Sequence, residues 1–324
     1  MSFAIFLNAA AAFGGQWTEV PGAGPNPSSL YGVAVVSAND AWAVGAAGRR
    51  PLIEHWDGTS WSEAAAQPGG GQLYGIAARS SSDVWAVGQT NTEQTLVKHW
   101  NGLRWSTVSS PNADTYNTLF GVCIISHNDA WAVGFSVPYN YILMHWDGIS
   151  WSLVNGPPVN SSALLSLKAF ATNDVWAVGW KDSGASTFAL HWDGMAWTEA
   201  PGSNPVSGEL TAVDGAAPND VWAMGTLAMH WDGLVWTVVP TPVSVFYALT
   251  VLSSSNVIAV GYNGGSPFSA HWDGNEWQAV TVPPVLDGTG WLHAVSGHGG
   301  SIWAVGQQGF GAGEPDDLIL KWTP

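Results

Sequence analysis

One repeated unit accounts for almost all of the tryptophans in this chain. Of its 22 tryptophans, twenty fall on three recurring positions. The unit runs from Leu30 to Glu63 and reads L-Y-G-V-A-V-V-S-A-N-D-A-W-A-V-G, a variable stretch, then L-I-E-H-W-D-G-T-S-W-S-E. The first position is occupied by Trp42, Trp85, Trp131, Trp176, Trp222, Ile258 and Trp303. The second holds Trp56, Trp100, Trp146, Trp192, Trp231, Trp272 and Trp322, and the third Trp61, Trp105, Trp151, Trp197, Trp236, Trp277 and Trp17.

The period of this repeat predicts the fold class. Successive first positions are 43, 46, 45, 46, 36 and 45 residues apart. A period of about 40 to 45 residues with several short strand-like segments is typical of propeller blades. The segments alternate with period two and are bounded by Gly, Pro, Asn and Ser, which favours strands over helices. The sequence therefore predicts an all-β protein, a seven-bladed β-propeller with four-stranded antiparallel blades.

The two ends of the chain predict how the ring closes. The seventh unit stops at Trp322-Thr-Pro324, before a fourth strand, whereas Gln16 to Val20 has the sequence of a fourth strand with no unit of its own. Pairing this N-terminal strand with the last blade removes two exposed sheet edges. We therefore expect one propeller domain over residues 15–324, closed by its own N-terminal strand.

Residues 1–14 lie outside the repeat and are apolar. They resemble the hydrophobic part of a secretory signal, although no Lys or Arg precedes them. A degenerate signal, a tail packed on the ring and an assembly contact stay open as alternatives. The resemblance to a signal favours an extracytoplasmic, secreted protein.

Charge excludes two classes of partner. The chain carries 24 acidic and 8 basic residues, a net charge of −16. Binding to phosphate-rich partners depends on clustered Lys and Arg. We therefore expect neither nucleic acid nor an anionic membrane as a partner, while the oligomeric state stays open. The single cysteine, Cys123, excludes an internal disulfide.

The repeated polar residues are expected to serve the fold. A histidine precedes the second tryptophan in six units, and ring symmetry separates these histidines too widely for a shared metal ion. We expect one hydrogen-bonded histidine per blade, aspartates that form turns, and no metal or cofactor. The histidines are His55, His99, His145, His191, His230 and His271, and the turn acids include Asp40, Asp83, Asp129, Asp174, Asp220, Asp57, Asp147, Asp193, Asp232 and Asp273.

The run Asp40-Ala-Trp-Ala-Val-Gly45, followed by Asp57-Gly-Thr-Ser-Trp61, resembles the BNR/Asp-box and photosystem-assembly-factor-like (Ycf48-type) propeller repeats. The resemblance covers residues 15–324 and marks a divergent, Trp-rich relative. An Asp box normally has Ser or Thr two places before its Asp, where this chain has His55.

Sialidases are the best-known enzymes with Asp boxes, and the chain lacks their arrangement of catalytic-site arginines. They hold the substrate carboxylate with three converging arginines. The four arginines here fall in places that do not converge. No pair of carboxylates with the spacing of other glycosidases and no other catalytic motif is evident. We therefore predict a non-catalytic protein. The arginines are Arg49, Arg50, Arg79 and Arg104.

Comparison of the units with one another separates scaffold from candidate site. The connections from second to third strand and from fourth strand to the next blade vary strongly and open on one face, which we call the variable face. Blade 5 has the shortest connection, between Gly225 and His230, which predicts a notch in the rim, whereas longer loops are predicted at Phe135 to Tyr141 of blade 3 and Trp180 to Ser186 of blade 4. Variable loops on a rigid scaffold are where ligands usually bind. The candidate ligand-binding residues there are Tyr116, Tyr139, Asn140, Tyr141, Trp180, Lys181, Asp182, Tyr262, Asn263 and Trp291.

The innermost strands add a candidate channel site. Lys168 and Asp214 occupy the same repeat position in adjacent blades, so we expect them to form an ion pair in or near the central channel. His293 lies on the innermost strand of blade 7 and is expected to face the same channel mouth.

Together these features predict a recognition or scaffold propeller that binds a protein or a glycan on the variable face. Two alternatives stay open. One is a carbohydrate-active enzyme on the same face, and the other is a structural surface protein that assembles through residues 1–14.

Overall fold

Seven four-stranded antiparallel sheets follow one another along the chain and form a closed ring. The computed structural model describes residues 15–65, 69–138, 140–200, 206–242, 245–309 and 315–323. Each sheet is one blade, and its first strand lies innermost, next to the central channel. The seven-bladed architecture predicted from the repeat is confirmed. The described part of the chain has no helix long and apolar enough to cross a membrane.

The strand bounds follow the repeat. Blade 1 contains β2 (Ser29–Ser37), β3 (Asp40–Ala47), β4 (Arg50–Trp56) and β5 (Trp61–Glu63); blade 2 contains β6 (Gly71–Ser80), β7 (Asp83–Thr90), β8 (Thr95–Trp100) and β9 (Trp105–Val108). Blade 3 contains β10 (Tyr116–Ser126), β11 (Asp129–Val137), β12 (Asn140–Trp146) and β13 (Trp151–Leu153); blade 4 contains β14 (Ala163–Ala171), β15 (Asp174–Lys181), β16 (Ser186–Trp192) and β17 (Trp197–Glu199). Blade 5 contains β18 (Leu210–Ala217), β19 (Asp220–Gly225), β20 (Ala228–Trp231) and β21 (Trp236–Val239); blade 6 contains β22 (Phe246–Ser253), β23 (Asn256–Asn263), β24 (Ser266–Trp272) and β25 (Trp277–Val280). Blade 7 contains β26 (Gly290–His298), β27 (Ser301–Gln308), β28 (Asp316–Thr323) and the N-terminal β1 (Gln16–Glu19), and short 3-10 helices span Asp182–Gly184 and Leu286–Gly288.

The N-terminal strand closes the ring. β1 pairs antiparallel with β28, and Trp17 lies opposite Trp322 in the register. The two indole rings meet edge to face with their centroids 5.2 Å apart. The Trp17 Nε1–H donates to the Ser269 hydroxyl of blade 6 at 3.1 Å, so this strand also ties blade 7 to its neighbour. The predicted closure is confirmed.

The hydrophobic core lies between the blades. The first-position Trp42 of blade 1 meets both Trp100 and Trp105 of blade 2, with ring centroids 5.1 and 5.3 Å away. It also stacks on His55 of its own blade at 4.1 Å. Each tryptophan can bury about 150–250 Å², so this repeated contact supplies the bulk that holds two flat sheets together.

The repeated histidines form a hydrogen bond within each of the six blades that carry one, as predicted. In five blades the histidine Nε2 lies 2.8–2.9 Å from the Oδ1 atom of the aspartate that begins the second strand. In blade 6 the partner of His271 is Asn256, at 3.1 Å. The turn acids accept hydrogen bonds within their own turns. For example, Asp57 Oδ1 accepts the backbone N–H of Thr59 at 2.8 Å and of Ser60 at 3.0 Å. Hydrogen bonds from Thr59 and the turn N–H groups lower the pKa of Asp57 to about 2.

The connections on the variable face depart from the prediction. Most of the stretch between Phe135 and Tyr141, predicted to be a loop, is strand, because β11 runs to Val137 and β12 begins at Asn140. Trp180 was expected to open a loop, but it is paired with Ala163 on one side and Thr187 on the other. The strands simply continue beyond the repeat, because backbone pairing on both sides satisfies their hydrogen bonds.

Candidate functional site

Each innermost strand carries a register shift near the variable face. In blade 1 the shift lies between Leu30 and Gly32, which leaves Tyr31 outside the regular pairing. A β-bulge of this kind re-aims the side chain of the extra residue. The residues at the equivalent shifts all line one cavity of about 610 Å³ at the channel, and they are Tyr31, Tyr74, Phe120, Leu165, Thr211, Tyr247 and His293.

Five of these seven side chains form a continuous arc of rings. We call Tyr247, His293, Tyr31, Tyr74 and Phe120 the aromatic collar. Its successive ring centroids are 5.7, 5.3, 5.4 and 5.4 Å apart, within the range in which aromatic rings attract one another. The collar therefore presents aromatic groups from blades 6, 7, 1, 2 and 3. Blades 4 and 5 contribute Leu165 and Thr211 at the same position.

Glycine lets the collar strands approach closely. A Cβ atom added to Gly75 would lie only 2.4 Å from the carbonyl oxygen of Phe120 in the next blade. A side chain at this position would push blades 2 and 3 apart. The glycine that follows the collar residue in blades 1 to 3 therefore allows the neighbouring innermost strands to lie close together at the mouth.

The collar is uncharged at neutral pH. Burial lowers the pKa of His293 to about 4, so its imidazole is neutral. Its Nε2 atom is shielded from solvent and has no hydrogen-bond partner in the described part of the chain. Burial, with a smaller contribution from Tyr31, raises the pKa of Tyr74 to about 12. The pKa of Tyr247 is also raised, first by burial and then by Tyr262. The collar offers neutral rings, hydroxyl groups and an imidazole rather than a charged surface.

The predicted ion pair between Lys168 and Asp214 is present in the channel wall of blades 4 and 5. The Lys168 Nζ lies 2.6 Å from Asp214 Oδ1, and both residues line the cavity. Asp214 also accepts two backbone N–H groups, from Val251 of blade 6 at 2.8 Å and from Gly215 at 2.9 Å. The carboxylate is thus fully engaged with the scaffold.

The predicted rim residues fall into separate groups. Tyr262 and Trp291 come together across blades 6 and 7, with ring centroids 5.7 Å apart and a tilt of 37°. Asn263 is exposed beside them at the end of β23. Tyr116 is exposed at the start of β10.

The candidates of blades 3 and 4 are largely engaged within the fold. The Tyr141 hydroxyl donates to the Pro157 carbonyl, its ring packs on Phe188, and burial raises its pKa to about 12. Lys181 Nζ donates to Glu199 Oε1 at 2.5 Å. Trp180 is half-buried and has no ring contact with another aromatic side chain in the described chain. Asn140 and Asp182 are exposed, and Tyr139 lies outside the described residues.

The short connection of blade 5 produces the predicted notch. β19 and β20 are joined by only Thr226 and Leu227. A hollow of about 440 Å³ lies beside this turn, with Pro240 and Pro242 on its wall.

Sequence comparison missed four of the five collar residues. Tyr31, Tyr74, Phe120 and Tyr247 occupy one repeat position, and repeated positions were assigned to the scaffold. The signal is nevertheless present, because this position changes from Tyr or Phe to Leu165, Thr211 and His293 around the ring. Of the five collar residues, only His293 was predicted from the sequence to face the channel. Within the described ranges, no group of three or more His, Cys, Asp or Glu could hold a metal ion.

The fold and the channel site define the chain as a β-propeller, and the comparisons agree. A structure described as YCF48 bound to D1 peptide superposes with a TM-score of 0.65 at 14% identity, covering 95% of this chain and 97% of that one. YCF48 from Cyanidioschyzon merolae also gives 0.65, at 16% identity, covering 95% of this chain and 99% of that one.

Two other solved propellers are similar. The WD40 β-propeller domain of Doa1 gives a TM-score of 0.70 at 14% identity, with 96% and 97% of the two chains covered. The SapL1 lectin in complex with α-methyl fucoside gives 0.54 at 14% identity, with 80% and 98% covered. At these identities the likeness shows the fold alone. No protein-family profile and no curated protein sequence matches the chain.

Proposed function

We propose that this chain is a non-catalytic recognition protein of the Asp-box-like propeller group, and that its ligand occupies the channel mouth on the variable face. The aromatic collar is the observation that carries this proposal. Five contacting rings border a cavity of about 610 Å³ and are uncharged at neutral pH. Concave sites with apolar or aromatic walls and a few polar groups are the usual form of a binding site.

A peptide segment of a partner protein is the ligand that fits this mouth best. The curved wall of rings can surround an apolar or proline side chain, and the hydroxyls of Tyr31 and Tyr247 can bond to its backbone. The Tyr74 hydroxyl is already used within blade 2, where it donates to Gln72 Oε1 at 2.8 Å and accepts from the Gln89 amide at 3.3 Å. Aromatic anchors of this kind dominate many protein interfaces. The superposed YCF48 structure, which is described with a bound D1 peptide, supports this choice of ligand class.

A glycan is the second candidate, and the rim between blades 6 and 7 favours it. Tyr262 and Trp291 offer two adjacent ring faces, with the exposed amide of Asn263 beside them. Aromatic faces with amide neighbours suit the apolar face and the hydroxyls of a sugar. The similarity to a lectin described with α-methyl fucoside supports the same possibility.

The enzyme alternative has weaker support from the chemistry of the mouth. Asp214 and His293 line one cavity, but the carboxylate of Asp214 is held by Lys168 and by two backbone N–H groups. Burial lowers the pKa of His293 to about 4, which makes it a poor base near neutral pH. The alternative of assembly through residues 1–14 concerns a segment outside the described residues.

The decisive experiment is a pull-down with a parallel glycan array on the full chain. Tyr31→Leu removes the ring at the centre of the collar and copies Leu165, which occupies the same position in blade 4. Trp291→Ala probes the rim, and Met195→Ala is the control, because Met195 is 89% exposed on the opposite face. We expect Tyr31→Leu to weaken peptide or protein capture by at least about tenfold. Capture that is unchanged in Tyr31→Leu would refute the channel-mouth site.

The two ligand classes separate in the same experiment. Loss of glycan binding in Trp291→Ala, with normal behaviour of Tyr31→Leu, would move the site to the rim and favour the glycan. The Trp180→Ala variant extends the test to the rim of blade 4, where Lys181 and Asp182 also lie.

A further inference from the structure

Blade 2 carries a buried lysine at a position that is apolar in most of the ring. The residue two places before the second tryptophan is Lys98 in this blade, and its side chain is only 1% exposed. It lies in the seam between blades 1 and 2, beside Leu96 and Trp105 of its own blade. In five other blades the same position holds a buried apolar side chain, namely Met144, Leu190, Met229, Ala270 or Leu320.

The ammonium group of Lys98 is poorly compensated. Its Nζ donates to the Thr107 hydroxyl at 3.2 Å, and no carboxylate lies within 4 Å of it among the residues that the structure describes. An ammonium has three donor protons, so two find no acceptor among the described residues. Burial lowers the pKa of Lys98. Buried charges in proteins are normally paired, so a missing partner at this position is unusual.

The acid at the same position of the neighbouring blade does not supply the missing charge. Glu54 is also completely buried, but it lies in the other seam of blade 1, where its Oε2 accepts the backbone N–H of Ala23 at 3.0 Å. Asp317 of blade 7 contributes to the pKa of Glu54, whereas Lys98 does not. Glu54 and Lys98 therefore lie in separate seams and do not pair.

A pocket of about 310 Å³ opens next to Lys98 on the variable face. Its wall includes the hydroxyl-bearing Thr90 and Thr92, together with the backbone at Gly70 and the apolar Pro51. Of the described residues in this wall, Lys98 alone is cationic. Arg50 of blade 1 does not line this pocket and forms a bidentate salt bridge with Glu63, with N–O distances of 2.6 and 3.1 Å.

We propose that this pocket binds a carboxylate group, which pairs with the Lys98 ammonium and accepts hydrogen bonds from the adjacent threonine hydroxyls. A singly charged carboxylate matches one ammonium. A phosphate would call for the arginine fork or the cluster of cations that such groups prefer, and the chain as a whole carries −16. The volume is at the lower end for small-molecule sites, so the carboxylate belongs to a small acid or to the end of a larger ligand.

The test uses NMR on the full chain with ¹³C-labelled lysine, which gives signals from only four lysines. Sodium acetate is titrated against sodium chloride at equal ionic strength. We expect the Lys98 signal to shift saturably with acetate and its pKa to rise, while Lys181 stays unchanged as an internal control. Glucuronate and N-acetylglycylglycine then distinguish an acidic sugar from a peptide carboxyl terminus, and inorganic phosphate tests the competing anion.

Lys98→Met is the matched variant, because methionine fills this position in blades 3 and 5. It should weaken acetate binding by at least about tenfold, and Lys181→Met should leave binding unchanged. A Lys98 signal that does not respond to any of the carboxylates, or that responds better to phosphate, would overturn the proposal. The wild-type titration gives this answer even if the variant does not fold. Because the collar is not part of this pocket, Tyr31→Leu should bind acetate normally, which keeps this test separate from that of the channel mouth.

Discussion

Lys168 of blade 4 and Asp214 of blade 5 form an ion pair across the channel seam, with 2.6 Å between Nζ and Oδ1. The two residues contribute unequally to the scaffold. Asp214 also accepts the backbone N–H of Val251, so the carboxylate links blades 4, 5 and 6. The lysine makes the ion pair and one contact with the Phe170 ring, 5.7 Å from its centroid.

We therefore expect unequal losses of stability from the two partners. Lys168→Met should lower the free energy of unfolding by about 1 kcal/mol or less, because the pair is partly exposed to solvent. Asp214→Ala should cost about 2–3 kcal/mol, because it leaves backbone donors unsatisfied. Urea denaturation of both variants measures the difference, and equal losses would contradict the asymmetry.

Glu54 should make the stability of the ring depend on pH. Burial and the nearby Asp317 raise its pKa from 4.5 to about 8, so the native state keeps a proton that the unfolded chain loses near pH 4.5. The contribution of Glu54 to the free energy of unfolding is therefore most favourable below about pH 4.5. It falls as the pH rises from about 4.5 to 8 and is constant above that. The total loss is roughly 5 kcal/mol. Glu54→Gln should flatten this dependence, as measured by unfolding at pH 5 and pH 8, whereas Glu276→Gln at an exposed turn should not.

The sequence predicted the scaffold well because the scaffold is what repeats. The Trp17–Trp322 pairing could be deduced, since an incomplete last blade and an orphan strand leave one solution. The Lys168–Asp214 pair could also be deduced, since residues at one repeat position lie at one level of the ring.

The candidate site was harder to predict, for two physical reasons. The first is that a register shift turns Tyr31 into the channel, and a one-residue bulge leaves no mark on the hydrophobic pattern. The second is that Trp180 and Tyr141 were judged by their departure from the repeat, whereas strand pairing extends past the repeat and absorbs them. The residues that depart from the repeat are therefore mostly strand ends. The aromatic collar was missed because its residues belong to the repeat.

Blade 6 should gain a charge partner if its turn residue is made like those of the other blades. His271 is bonded to Asn256, and burial lowers the pKa of His271. Asn256→Asp places a carboxylate about one hydrogen bond away, which should raise the pKa of His271 by about 1 or more. An NMR titration of the imidazole measures it. Asn275→Asp adds the same charge in an exposed turn and should have a much smaller effect, so equal shifts would contradict a direct pairing.

Gly75 should couple the stability of the ring to the shape of the mouth. The Cβ of Gly75→Ala would meet the Phe120 carbonyl oxygen at 2.4 Å, and backbone at that distance has to move. We expect a loss of about 1–3 kcal/mol, as for overpacked cores, together with a change in the aromatic-region NMR signals of Phe120 and Tyr74. Ala294→Gly, the reverse change in blade 7, should leave those signals in place. An alanine variant with wild-type stability would show that the seam has room.

Trp17 should be the residue on which ring closure depends most. It is 4% exposed, packs on Trp322 and donates to Ser269 of blade 6, so a single side chain joins both ends of the chain to a third strand. Trp17→Ala should cost about 3–5 kcal/mol, the range for a large buried aromatic. Because the loss also frees the edge of β28, limited proteolysis should cut first near the termini rather than within blades 2 to 5. Trp180→Ala removes a half-exposed tryptophan of equal size and should cost clearly less. If urea unfolding gives the same loss for both variants, or if cleavage begins in the middle of the chain, the N-terminal strand does not hold the ring together.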